Sequence, residues 1–227
     1  MIDIKNLTMV YSGRAVLDNV NLSLDQGQIV GLLGENGSGK TTLIRILAGL
    51  ERNYQGDVKI EGANPGGFTN DILAYQPDHL PLNENLKIEE VCASYDSFFD
   101  DFNPNRFYDL LNGFDIAREL KIKECSKGMK EKIQIALTLS RKAKIYILDE
   151  PMSGIDPKSR KIVLNTIINN FDYEGLMIIS THLVSEVEKV LDRALFLDNG
   201  KLALNETVDD IRMNHNMGVE EYFTEVL

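Results

Sequence analysis

Gly34-Glu35-Asn36-Gly37-Ser38-Gly39-Lys40-Thr41 fits G-x-x-x-x-G-K-[ST] at every position. Glycines at that spacing let successive backbone N–H groups turn inward as an anion nest, and a helix opening at Lys40 adds the positive end of its dipole. Lys40 then meets the outer phosphates as a point charge, and the Thr41 hydroxyl can ligate Mg²⁺. The loop residues Gly34, Glu35, Asn36, Gly37, Ser38 and Gly39, with Thr42 just beyond them, complete the expected contacts. A second element carries complementary chemistry. Ile145-Tyr146-Ile147-Leu148-Asp149-Glu150 is an apolar run ending in two carboxylates. Asp149 is placed to hold Mg²⁺ through water, and Glu150 to accept a proton from an attacking water. Either element alone has a plainer reading, a surface glycine turn or strand-end acids in solvent. Both in one chain make the plainer readings minor.

These groups need a strand before the glycine loop, a helix after it, and a second strand that ends on the carboxylates. Gln28 to Leu33 is a short apolar run suited to a buried strand, and Leu43, Ile44, Leu47 and Leu50 repeat at helical spacing from Lys40 to Leu50. Residues 2–10 and 16–24 read as two strands around Tyr11-Ser12-Gly13-Arg14, with further strands at 57–61, 71–75, 145–148, 176–180, 193–198 and 201–204. From about 84 to 141 the pattern is mainly helical, broken at Pro104, Gly113 and Cys125-Ser126. Pro157 opens a helix that runs to about Asn170, where its missing N–H costs nothing. Val219 to Leu227 reads as a terminal amphipathic helix. Strands alternating with helices predict an α/β chain with a mainly parallel sheet.

The 227 residues fit one large domain or one domain with an insertion, at about 150 residues per domain. With 43% hydrophobic and 26% charged residues, the composition excludes a disordered or fibrous chain. No apolar stretch approaches the ~18 residues of a membrane span, and Met1-Ile2-Asp3-Ile4-Lys5 lacks the features of a signal peptide. Cys92 and Cys125 lie far apart and suggest neither a disulfide framework nor a zinc site. A soluble, reduced, intracellular chain is expected. The net charge of −11 repels phosphate polymers, so no nucleic-acid partner is expected, yet backbone amides can still build a local anion site.

In this order the motifs resemble the ATP-binding subunit of an ABC transporter over nearly the whole chain. The resemblance implies a P-loop NTPase core, an N-terminal antiparallel β subdomain (1–27 and 54–70) and a helical insertion (about 78–141) within one domain, 1–227. It also assigns roles. Tyr11 stands where the family stacks an aromatic on adenine, with Val16 as its apolar neighbour. Ser153-Gly154-Ile155-Asp156 resembles the loop that crosses to an opposite subunit. His182 in Ser180-Thr181-His182-Leu183 stands at the switch histidine that contacts the γ-phosphate. Two places depart from the pattern. The LSGGQ segment reads Cys125-Ser126-Lys127-Gly128-Met129, followed by Lys130. It keeps Ser126 and Gly128 at a helix start where amides could face a phosphate. Lys127 either adds positive charge or points into solvent, and Cys125 reads as a small apolar residue. The form is similar to that of the branch serving drug, antibiotic, peptide or lipid exporters. In the loop that normally carries a glutamine, Gln76 supplies the residue type while the register points to Asp78. Either could approach Mg²⁺ or the attacking water.

What the resemblance implies is an ATPase using ATP and Mg²⁺, peripheral on the inner, cytoplasmic face of the cell membrane. Two such subunits, identical or different, would close head to tail, the Ser126/Gly128 segment of each completing the other's site. A separate multi-span membrane subunit would dock on the stretch Leu86 to Phe107, with some of Phe98, Phe99 and Phe102 given to the core. The alternative is a soluble ABC ATPase acting on a protein assembly. A P-loop kinase or GTPase fits less well, since the signature-like segment and His182 stand against it and a guanine-reading N-K-x-D motif is absent.

Overall fold

A computed structural model describes residues 1–79 and 82–226. Leu80 and Pro81, inside the expected helical block, and Leu227, at the end of the expected terminal helix, lie outside the described residues. Strands β1 (Ile2–Tyr11) and β2 (Arg14–Leu24) pair antiparallel through a two-residue turn, with Tyr11 opposite Arg14. Ser12 and Gly13 both have positive φ, 48° and 82°, the type I′ geometry whose twist matches flanking strands. β3 (Gln28–Leu33) leads into the glycine loop and α1 (Lys40–Leu47). The helix ends before Leu50, because Gly49 (φ 71°) turns the chain away.

β4 (Gln55–Ile60) joins β1 to give a three-stranded sheet in the order β2-β1-β4. Little else between 54 and 70 is strand. Gly62, Pro65, Gly66 and Gly67 shape turns there, and a four-residue helix, α2 (Phe68–Asp71), precedes β5 (Leu73–Gln76), which therefore starts two residues later than predicted. The helical block contains α3 (Ile88–Phe98), α4 (Pro104–Gly113), a 3-10 turn at Ile122–Glu124 and α5 (Lys127–Leu139). Then follow β6 (Ile145–Asp149), α6 (Pro157–Asn169), β7 (Leu176–Thr181), α7 (Val184–Val187), β8 (Arg193–Asp198), β9 (Lys201–Thr207), α8 (Val208–His215) and α9 (Val219–Val226).

The main sheet has the order β5-β6-β7-β3-β8-β9, parallel except for the edge strand β9. Its central strands read as unbroken apolar runs because both faces are buried. Val30, Leu32, Ile145, Ile147, Leu176 and Ile178 face α1 and the three-stranded sheet. Ile29, Leu33, Tyr146, Leu148, Met177 and Ile179 face the opposite core, which α3 to α9 help to form. Every buried hydrophobic side chain of the central strands thus serves one of two cores. What emerges from the sheet's carboxyl ends is left for chemistry.

Candidate functional site

Three parallel strands deliver the site. β3 ends at the glycine loop, β6 at Asp149-Glu150 and β7 at Ser180-Thr181-His182. Gly39, at φ 110°, hands the loop to α1, and a Cβ there would stand 2.7 Å from the Val16 carbonyl. No other residue fits that turn without displacing backbone. The buried Lys40 ammonium donates to the Gly34 and Glu35 carbonyls at 2.7 and 3.0 Å and lies 3.9 Å from Glu150 Oε1. Burial pushes its pKa below the usual lysine value, while Glu150 and Asp149 push it back up.

Asp149 and Ser180 are direct partners in the β6–β7 register. Ser180 Oγ donates to Asp149 Oδ1, and Asp149 Oδ2 is buried without a partner. Burial raises the Asp149 carboxyl, the Ser180 and Thr41 hydroxyls oppose the rise, and the charges of Asp78 and Glu150 add to it. Glu150 leaves the sheet in a left-handed conformation, φ 47°, a strain of about 1–2 kcal/mol for a residue with a side chain. Its N–H, donating to the Ser180 carbonyl and hydroxyl at 3.1 Å each, holds it there. The turn aims its carboxylate at His182, whose Nδ1 lies 3.1 Å from both oxygens. A proton on Nδ1 makes this a donor to the carboxylate.

A cavity of about 220 Å³ is lined by Gly37, Gly39, Lys40, Thr41, Thr42 and Asn36, with Val16, Asp78 and Glu150. Asp78 belongs to this lining. Gln76 does not; it is buried at the end of β5, with Oε1 unpartnered, on the wall of a second, larger groove. Ser38 is buried with its hydroxyl unpartnered, and Gly34 and Glu35 supply the carbonyls that hold Lys40. Tyr11 is half exposed at the end of β1 and is not in the cavity wall; partial burial and then Glu51 push its hydroxyl pKa up. Ser126 is the N-cap of α5, its hydroxyl accepting from Met129 N at 3.2 Å, and Gly128 follows in the first turn. Neither lines the cavity of its own chain.

The donor set suits magnesium. Among the described residues no three His, Cys, Asp or Glu side chains gather as a metal cluster. A cation beside the orphaned Asp149 Oδ2 would lean on one carboxylate, the Thr41 hydroxyl and phosphate oxygens, as Mg²⁺ does.

The larger groove, about 620 Å³, runs between α3, α5, β5 and the end of α1. Arg141, buried at its base, pairs with Asp101 at 2.9 Å, donates to the Leu73 carbonyl at 2.9 Å and lies 4.1 Å over the Phe99 ring. The three phenylalanines of this stretch divide: Phe98 is 80% exposed, Phe99 half-buried and Phe102 in the core. Sequence reasoning missed Arg141, Ser180 as the carboxylate's partner, and Glu131. Only Glu131 left a signal, since it stands one helical turn before the buried Ile135.

A profile of the family described as "ABC transporter" matches residues 17–153, more than half of the chain. A lantibiotic transport ATP-binding protein of Streptococcus pyogenes is 33% identical over 212 residues, 92% of either chain. An uncharacterized ABC transporter ATP-binding protein of Methanocaldococcus jannaschii is 31% identical over 219 residues, 92% of this chain and 79% of that one. Among solved structures, an ATP binding subunit of an ABC transporter superposes with a TM-score of 0.87 at 27% identity, over 100% of this chain and 99% of the other.

Proposed function

The chain belongs to the ABC transporter family of ATP-binding proteins, and from that membership we propose that it hydrolyses ATP to drive export through a separate membrane subunit. The observation that carries this reading is the convergence of Lys40, Thr41, Asp78 and Glu150 on one phosphate-sized cavity. A phosphate entering the loop competes with the Gly34 and Glu35 carbonyls for the Lys40 ammonium, and a charge-assisted bond to an anion is the stronger one. Glu150 takes the proton of the attacking water, and His182 holds that carboxylate in place through Nδ1. Asp149 and Thr41 would hold Mg²⁺, which when bound neutralises charge on the β- and γ-phosphates. Tyr11 supplies apolar area for the base.

Ser126 and Gly128 lie outside their own chain's cavity, which supports their use on a second ATPase subunit. Gln76 and Pro77 line the larger groove and Asp78 the phosphate cavity, so one short segment touches both. That supports the groove, with exposed Phe98 and Leu50 on its wall, as the seat of a membrane-subunit segment. Among the described residues no helix is long and apolar enough to cross a membrane; family membership supports a place at the inner face of the membrane, beside a membrane subunit. Export as the direction is supported by the Ser126-Lys127-Gly128-Met129-Lys130 form and by a relative that serves lantibiotic transport.

The test is to trap ATP-bound dimers of Glu150→Gln protein and weigh them by light scattering. A closed dimer is expected, and adding Ser126→Glu should abolish it, because that carboxylate would stand against the partner's γ-phosphate in a dry interface. Dimerisation unaffected by Ser126→Glu would sink the head-to-tail arrangement.

A further inference from the structure

Glu131 joins two segments that the reading above assigns to different nucleotide sites. It is the fifth residue of α5 and only 6% exposed. Its Oε2 accepts the Gly154 N–H at 2.9 Å, and its Oε1 lies 3.8 Å from Lys127 Nζ, one turn earlier. Gly154 belongs to the turn that follows the carboxylate pair, and that turn closes when Ser153 N donates to the Glu150 carbonyl at 3.2 Å. The fit is close. A Cβ at Gly154 would overlap Glu131 Oε1 and approach Lys127 Cε to 2.6 Å.

A carboxylate in such a place is poor packing material. Burial pushes the Glu131 pKa up and the charge of Asp78 adds to that, while the Gly154 amide, Lys127 and Arg160 offset it. An apolar side chain of similar size would serve a merely structural helix face at least as well. The Lys127 side chain, by contrast, is 76% exposed, so the pair has one fixed and one movable half. A phosphate near the start of α5 would compete with Glu131 for the Lys127 ammonium while leaving the Gly154 hydrogen bond in place.

We propose that Glu131 is a positioning residue for ATP hydrolysis: it fastens the turn after Glu150 to the first turn of α5. Contact of Ser126 and Lys127 with a partner's nucleotide is thereby transmitted to this chain's own Glu150. The inference rests on the head-to-tail reading given above.

Glu131→Gln keeps an acceptor for Gly154 and loses the ion pair, whereas Glu131→Leu loses both. Two quantities separate them, exchange of the Gly154 amide by NMR and kcat, and affinity for a fluorescent ATP analogue serves as the control. Glu131→Leu should speed Gly154 exchange and lower kcat by about 10-fold or more, since small misplacements of a catalytic group are costly. Nucleotide affinity should stay within about 2-fold, and Glu131→Gln should return both quantities to near the unmutated values. If Glu131→Leu does not fold, Gly154→Ala breaks the same contact from the other side and should give the same kcat loss. Unmutated kcat in the folded disrupting variant, or Glu131→Gln as slow as Glu131→Leu, overturns the role of Glu131 alone. An unmutated chain that hydrolyses no ATP overturns the proposed function and this role with it.

Discussion

The phosphate cavity and the aromatic groove share the segment Gln76–Asp78, yet they are made in opposite ways. The cavity is a backbone device. Its shape comes from the glycine loop, from a left-handed Glu150 and from strand ends that leave the sheet together. The groove is a side-chain device, held open by Arg141 bridging α5, the Asp101 loop and β5, and walled by Tyr95, Phe98 and Phe99. The first suits a small anion that must be met by preset dipoles. The second suits an apolar protein segment that needs area and shape. The cavity therefore holds a left-handed Glu150 beside the buried Lys40 and Asp149, while the groove holds one buried charge, Arg141, already paired with Asp101.

The sharpest test of that division is Glu150→Gln. It should lower kcat by about 10²–10⁴-fold, the usual worth of a general base, with ATP binding retained. Single-turnover hydrolysis beside a binding titration would show it, and an unchanged rate would remove Glu150 as the base.

Arg141→Ala should act on the other side of the comparison. It strips Asp101 and the Leu73 carbonyl of their partner, so urea unfolding should show a loss of about 3 kcal/mol. Arg141→Lys should restore little, because one ammonium cannot replace the planar fork. ATP affinity falling in step with stability would mean that the two cavities are not separable.

Asp149→Asn should stabilise the fold by about 1 kcal/mol at pH 7–8 while impairing hydrolysis. The folded-state pKa of Asp149 is raised, so ionising it costs more in the fold than in the unfolded chain. That penalty is fully present above the folded pKa and vanishes as pH falls below the unfolded value. The melting-temperature gain of Asp149→Asn should shrink on acidification in the same order. A gain that grows towards acid would contradict the assignment.

The smallest effect is expected for Phe98→Asp. With 80% of Phe98 exposed, stability should change by no more than about 0.5 kcal/mol, and the isolated chain should keep its ATPase rate. Association with a co-expressed membrane subunit should be lost. Co-purification at the unmutated level would take Phe98 out of the docking surface.

Much of the core was legible because burial on two faces leaves no choice of residue. Gln28–Leu33 was read to its boundaries, and the runs at 145–148 and 176–180 each lost only their last polar residue. Strand β5 was misplaced by two residues because Thr69 to Asp71 carry no apolar period that separates a one-turn helix from a strand start. The phosphate loop was legible because its chemistry lies in eight consecutive positions.

The amino-acid sequence by itself determined the glycine loop with Lys40 and Thr41 and the Asp149-Glu150 pair, since neighbours in the chain cannot be far apart in space. It also determined that Ser126 could cap a helix. Only the tertiary structure decided that β6 lies beside β7, which sets Ser180 against Asp149 and His182 against Glu150. It alone turned Asp78 into the cavity and Gln76 into the groove, and brought Glu131 to Gly154, 23 residues on. Strand order and side-chain direction at a strand's end come from long-range pairing and packing, which no local spacing encodes.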